Sequence, residues 1–281
     1  MQELSSTYFV QDRRNKHELT RLALQDQMLT NAMGGVLPEQ TDPKAFQRVL
    51  DVACGTGGWL IEMAQTYPEM SLVGIDISQR TIKYAQRQAE AHQVQNQVKF
   101  YIMDGLSKLD FPAASFDMVN LRLGVSFLRT WDWANMLREL LRITRSGGTV
   151  RITDGDIIYQ SNSPALTKLF TMLLSAFHRA GHVYTNATTG LTDHLPQLLA
   201  QHGCEQIQTK AHVIRYPAGT PEGEACYEDL VIGFQNARPF IEKWGNDSKD
   251  YGTIYRRATE EMQLPDFLAM ANYLTVWGRK P

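Results

Sequence analysis

Cysteine is scarce in this sequence, and no two of its three cysteines, Cys54, Cys204 and Cys226, stand at a C-x-x-C spacing. So sparse and odd a count excludes a disulfide framework and a structural zinc site as organising principles, and a reducing compartment is expected. Net charge is nearly absent, at −2. A nucleic-acid partner demands a basic face that displaces counterions from phosphates, so no nucleic acid is expected as a ligand. Long apolar runs are missing too. The most notable one, Phe170 to Phe177, is far shorter than the ~20 residues that cross a bilayer. Met1 to Lys16 is polar and charged, unlike a signal peptide. No membrane association is expected, and the expected location is cytoplasmic. There is no internal repeat and no low-complexity tract.

What is present is a strongly alternating stretch. From Val49 to Asp154 short β-rich runs alternate with helical patterns, which predicts a parallel sheet covered by helices on both faces. Strands are expected at Leu50 to Ala53, Leu72 to Ile77, Val98 to Met103, Phe116 to Leu121 and Thr149 to Thr153. Helices are expected at Trp59 to Tyr67 (stopped by Pro68), from a Ser78 cap to about His92, and at Trp131 to Thr144. Outside this stretch, Asn15 to Met33 predicts an amphipathic helix. Pro164 to Arg179 predicts a stronger one, with Leu166, Leu169, Phe170, Leu173, Leu174 and Phe177 at helical spacing. Further helices are expected at Thr192 to Gln201, Tyr227 to Phe234 and Tyr251 to Met262, and further strands at Glu205 to Arg215 and Tyr273 to Trp277. No linker divides the chain, so a single domain over residues 1–281 is expected.

The sharpest motif is Val49 to Gly58, VLDVACGTGG, a buried strand running through a glycine-rich turn into a helix. Gly55 and Gly57 are expected to let the backbone bend and a ligand approach without a Cβ in the way. A nucleotide-type ligand belongs over the carboxyl end of such a strand. Taken alone, the loop also reads as a tight turn. It is joined by Asp76, at the end of the second strand, placed to accept from ribose hydroxyls. Asp104 follows the third strand, where an acid can accept from an adenine amino group. Each acid by itself also reads as a cap or loop residue, but three loops at one sheet edge read together as a cofactor site. A dinucleotide fingerprint needs glycine at position 60, where this chain has Leu60, and that disfavours a dehydrogenase.

The runs VLDVACGTG, GIDIS, MDG and FDMV, followed by Ser146-Gly147-Gly148, resemble the class I S-adenosylmethionine-dependent methyltransferases. Within them they are similar to the small-molecule branch typified by ubiquinone and menaquinone biosynthesis. The resemblance covers about Val49 to Asp154. It implies an α/β, Rossmann-like fold: a seven-stranded, mostly parallel sheet with an antiparallel last strand and helices on both faces. An α-helical cap would come from the N-terminus and from insertions after the fifth and sixth strands. The chain would then divide into a cap helix within 1–34, a cofactor-binding core over 48–154, a lid insertion over 160–190 and the remaining core, with a helical insertion, over 191–281. The implied cofactor is S-adenosylmethionine, leaving as S-adenosylhomocysteine. Carried over by motif, Asp51, Ala53, Gly55, Thr56 and Gly57 surround its methionine part. Asp76 and Ile77 lie at the ribose, and Met103, Asp104 and Gly105 at the adenine. Leu121 and Arg122 lie near the sulfonium, and Tyr8 and Phe9 precede the first helix in a segment that either folds over the cofactor, as such segments do in this family, or is plain surface.

Methyl transfer from a sulfonium asks mainly for positioning and desolvation, with a general base only where the acceptor must lose a proton. The candidates are Asp154, Asp156, His178, His182 and Tyr184. Asp154 also reads as a strand end, and His178 as a packing histidine. Signatures of other acceptors are absent. Asn120-Leu121-Arg122-Leu123-Gly124 stands where a base-gripping Asn-Pro-Pro-aromatic motif would be. There is no Pro-Cys nucleophile, and no glutamate pair follows the fourth strand. A small, partly apolar acceptor methylated on O, C or N remains. It is expected between the sheet's carboxyl edge and a cap formed by the segment through Met33 and by Pro164 to Arg179 with the loop through Tyr184. A non-methylating cofactor binder on the same fold is the alternative. No metal is expected, and the chain reads as a monomer or homodimer.

Overall fold

The computed structural model describes residues 7–10, 16–245 and 249–281. Its strands are β1 (Arg48–Val52), β2 (Ser71–Asp76), β3 (Val98–Ile102), β4 (Phe116–Arg122), β5 (Thr144–Gly155), β6 (Gln160–Ser161), β7 (Glu205–Pro217) and β8 (Leu268–Arg279). Its helices are α1 (Lys16–Met33), α2 (Gly58–Thr66), α3 (Gln79–Ala91), α4 (Trp133–Ile143), α5 (Pro164–Ala180), α6 (Leu195–Gln201), α7 (Pro221–Trp244) and α8 (Tyr251–Glu261). The Asn15 start expected for the first helix lies outside the described residues. One sheet runs β3-β2-β1-β4-β5-β8-β6, with β7 also on β8. The first five strands pair in parallel, and β8 is antiparallel to β5. This is a Rossmann-like α/β sheet whose order reverses beside β1, the place where open sheets of this kind bind ligands.

The strand count is eight rather than seven. The addition is β6, whose Gln160 and Ser161 pair with Met270 and Ala269. β5 pairs with β8 as far as Gly155, opposite Tyr273, and the Asp156 amide still donates to the Asn272 carbonyl at 2.9 Å, so residues 157–159 form the bulge between two paired stretches. β8 is also longer than expected, because β7 pairs with it from Glu205↔Arg279 to Pro217↔Leu268. The pattern seen at Tyr227 to Phe234 is the middle of the 24-residue α7, which continues through Pro239.

Apolar alternation on the strands sorts the core into two clusters. Val49, Leu72, Val98 and Met118 pack with α2 and α3, while Leu50, Val52, Val119 and Leu121 join a larger cluster with α4, α5 and α7. α5 begins at a Ser163 cap that accepts from the Leu166 amide and ends at Gly181, in the left-handed region at φ 84°. Its Leu166, Leu169, Phe170, Leu174 and Phe177 are all buried. Each such side chain contributes about 1.5–3 kcal/mol of apolar transfer, which fixes α5 over the sheet's carboxyl edge.

Candidate cofactor and acceptor site

The chain turns sharply after β1. Ala53 and Gly55 sit in the left-handed region, at φ 55° and 54°, and Gly57 at 78° caps α2. Asp76 holds this turn from β2: its Oδ2 accepts from the Gly55 amide at 3.2 Å and its Oδ1 from the Ser78 amide at 2.8 Å. Asp104 is held by its own turn, accepting from the Leu106 amide at 2.9 Å and the Ser107 hydroxyl at 3.0 Å. Asp51 is buried and accepts from Asn120 Nδ2 at 2.8 Å. Asn120 in turn accepts from Arg151, which pairs with Glu39. Burial pushes the Asp51 carboxyl up to about 7, against the pull of Arg122. Arg122 pairs with Asp26 of α1, donates to Thr30 Oγ1 at 3.3 Å and lies over the Trp59 ring. Asp26 also accepts from the Trp59 amide at 2.9 Å, so α1 caps α2.

One cavity of about 440 Å³ opens over the turn after β1 and continues beneath the cap. Asp51, Ala53, Gly55, Thr56, Asp76 and Ile77 face it, as do Met103, Asp104, Gly105, Arg122, Tyr8 and Asp154. The far side is built by α1, α5 and α7, with Phe170, Leu173 and Phe177 from α5 and Leu230 and Phe234 from α7. The segment after β5 adds Asp156, Ile157 and Tyr159.

Five expected residues fall outside this lining. A Cβ on Gly57 would meet the Phe100 ring at 2.6 Å and Ala85 at 2.9 Å, so this glycine serves packing, whereas nothing lies within 4 Å of a Cβ on Gly55. Leu121 points into the core with no exposure, because alternation on β4 turns its neighbour Arg122 to the cavity. His178 is exposed, because the helical step from Phe177 carries it off the lining face. His182 is fully buried behind that face, its Nδ1 at 2.8 Å from the Val125 carbonyl and its ring 5.2 Å from that of Phe177. Burial lowers its pKa to about 4, so it is a neutral packing histidine. The Tyr184 hydroxyl donates to the Thr130 carbonyl at 3.1 Å and its ring packs on His194.

Asp154 is different. It has no exposure, faces the cavity, and accepts from the amides of Val125 and Gly155, both at 3.0 Å. Burial without a cationic partner pushes its carboxyl up to about 7. The turn that supplies Val125 begins at Leu123, itself left-handed at φ 55°. Asp156 accepts from Thr192 Oγ1 at 2.7 Å and Asn272 Nδ2 at 3.3 Å.

The cap carries a polar network that sequence reasoning missed. Arg21 Nη1 donates to Asp229 Oδ1 of α7 at 2.9 Å, and Arg21 Nη2 to Glu18 Oε1 at 2.7 Å. The Tyr8 hydroxyl donates to Glu18 Oε1 at 2.9 Å, and Gln25 Nε2 reaches Asp229 Oδ2 at 3.4 Å. Glu18, Arg21 and Asp229 are all buried. Burial outweighs Arg21 and holds the Asp229 carboxyl above its ordinary range. A signal did exist: Glu18, Arg21, Leu22, Gln25 and Leu29 follow helical spacing, which puts charge on the face that carries the leucines.

A parallel sheet of this order, closed by an antiparallel strand and bearing a glycine turn and two acids at its carboxyl edge, is a Rossmann-like fold with a ligand site at that edge. Within it, residues 49–148 match the family model described as a methyltransferase domain. The demethylmenaquinone methyltransferase of Geobacillus kaustophilus is 35% identical over 103 residues, 36% of this chain and 42% of that protein. That of Listeria welshimeri is 32% identical over 126 residues, 43% of this chain and 49% of that protein. The chain thus spans under half the length of the curated relatives it matches. Solved structures share the fold across the chain. The (4+2)-cyclase SpnF aligns with TM-score 0.55 and 16% identity over 100% of this chain and 99% of its own. Phosphoethanolamine N-methyltransferase 2 of Haemonchus contortus, in complex with S-adenosyl-L-methionine, gives TM-score 0.58 and 17% identity over 99% of this chain and 60% of its own. Among the described residues no helix is long and apolar enough to cross a membrane.

Proposed function

We propose that this chain is an S-adenosylmethionine-dependent methyltransferase, one domain in extent, acting on a small and partly apolar molecule in the cytoplasm as a monomer or homodimer. The observation that carries the reading is the open cradle at Gly55, with Asp76 closing its turn, inside the segment that matches the methyltransferase domain. The residues present fit this cofactor. Gly55 leaves room for close approach, and Asp76 and Asp104 offer carboxylate acceptors for ribose and adenine donors. The buried Nε of Arg122 has no partner in the protein and is a donor for a carboxylate such as that of the methionine part. Bound there, the cofactor supplies a methyl group already activated on sulfonium. The chain's part is to bind, orient and exclude water: Phe9 packs edge-on against Phe177 and closes the cap over the cavity. Asp154 stands ready to hold a proton from the acceptor.

The test is calorimetry with S-adenosylhomocysteine. Asp76→Ala removes a charge-assisted hydrogen bond of about 1.5–3 kcal/mol, or a ten- to hundred-fold loss of affinity. Unchanged binding in a folded variant would sink the assignment of this residue and of the site around it.

A further inference from the structure

We propose that the methyl acceptor is an aromatic or otherwise apolar amine, methylated on nitrogen and held on the cap side of the cavity; this rests on the methyltransferase reading above. The described lining carries Asp26, Asp51, Asp76 and Asp104 on the glycine-loop side and Glu18, Asp154, Asp156 and Asp229 on the cap side. Against these eight acids stand two cations, Arg21 and Arg122, with no lysine or histidine among the described lining residues. Arg122 belongs to the loop side, paired with Asp26. Arg21 is committed to both Glu18 and Asp229, so that triad keeps a net negative charge. The hydrogen bonds to Asp154 come from backbone amides, and those to the Asp156 side chain from a neutral hydroxyl and amide. A carboxylate or phosphate entering here would be desolvated beside acids, with no uncommitted cation among the described lining residues to receive it. An organic cation would meet acids and the rings of Phe9, Tyr159, Phe170, Phe177 and Phe234. The four cap-side acids all lie outside residues 49–148, the segment that matches the family model, so relatedness in the core leaves this chemistry free to differ.

The movement of charge selects nitrogen over oxygen and carbon. An amine enters as ammonium and gives one proton to the Asp154 carboxylate, whose burial raises its proton affinity. The freed lone pair on nitrogen forms the new bond to the methyl carbon. The carbon–sulfur bond breaks with its electron pair returning to sulfur, which becomes a neutral thioether. The positive charge thus moves from sulfur to nitrogen and stays inside an acidic cavity. Attack by an oxyanion or carbanion would first create an anion among these carboxylates and would then cancel the cation they stabilise.

The experiment titrates three isosteres, tryptamine, tryptophol and indole-3-acetate, into the full chain saturated with S-adenosylhomocysteine. Tryptamine is expected to bind at least about ten-fold tighter than tryptophol, as one buried charge-assisted hydrogen bond implies, and indole-3-acetate not at all. Asp229→Asn and Asp154→Asn should each erase most of that preference while retaining S-adenosylhomocysteine. If Asp229→Asn does not fold, Asp154→Asn decides alone. Tryptophol or indole-3-acetate binding as tightly as tryptamine, no binding of tryptamine, or an undiminished preference in the folded variants overturns the amine assignment. Failure of S-adenosylhomocysteine to bind at all is a separate result, read in the first titration, and removes the methyltransferase reading together with the amine.

Discussion

The two sides of the cavity are built in opposite ways. The glycine-loop side is mostly local: Asp76 reaches Gly55 across 21 residues, and Asp76 and Asp104 each close the turn they sit in or beside. The cap side is assembled from distant pieces, with Arg21 meeting Asp229 across 208 residues. The first kind of site is written in short motifs, and the second emerges only when helices pack. A glycine turn with flanking acids is therefore legible in a motif, while the cap that faces it is built from residues that no motif contains.

The largest effect expected from breaking this contrast is at Arg21. Arg21→Met would strand Glu18 and Asp229 in the interior, a loss of about 3–5 kcal/mol in unfolding free energy. Denaturant unfolding measures it, and a loss below about 1 kcal/mol, within the range of an exposed pair, would mean that the cap does not depend on the triad. The next effect separates two glycines. Gly57→Val drives a Cβ into Phe100 and Ala85 at a positive φ, at a cost of about 2–4 kcal/mol. Gly55→Ala meets open space, costs about 1–2 kcal/mol for its φ alone, and should act chiefly on S-adenosylhomocysteine affinity. Equal stability losses in the two variants would erase the distinction.

The last effect appears only as a difference between two pH values and concerns Asp154. Its folded pKa of about 7 lies above the ordinary 3.8, so the folded state binds this proton more tightly than the unfolded chain. That contribution to stability is complete below the ordinary carboxyl range and is lost as pH rises from about 4 to about 7. Asp154→Asn removes the titration and should gain about 1–3 kcal/mol over the parent at alkaline pH relative to acid pH. His182 titrates in the opposite sense, its folded pKa of about 4 costing stability as pH falls, but it is common to both proteins and cancels. Thermal unfolding at about pH 4 and about pH 8 reads the difference, and a pH-independent difference would argue against a buried, cation-free carboxyl.

Much of the architecture was legible because period and punctuation are local signals. Ser78 was expected to cap α3 and accepts from the Thr81 amide, and the five parallel strands lie where short apolar runs were expected to form them. The misplacements share one cause, which is side-chain direction. His178 follows Phe177 by one residue, yet that one step of the helix moves it from lining face to solvent. Gly57 looked like Gly55 in the motif, but only the structure brings Phe100 against it. The short β6 had no signal of its own, because two residues carry no periodicity and its pairing depends on where β8 runs.

The Arg21–Asp229 pair also orders the birth of the molecule. α1 leaves the ribosome before α7, so its buried guanidinium has no interhelical partner until α7 is made some 200 residues later. At about 5–20 residues per second, that is a wait of roughly 10–40 s. During it, strands β1 to β5 can assemble with their own helices and hold α1 through Asp26, while Glu18 and Arg21 at its other end keep their water. The charged end of an early-made helix is therefore among the last parts to be buried, and the cavity gains its roof only when α7 arrives.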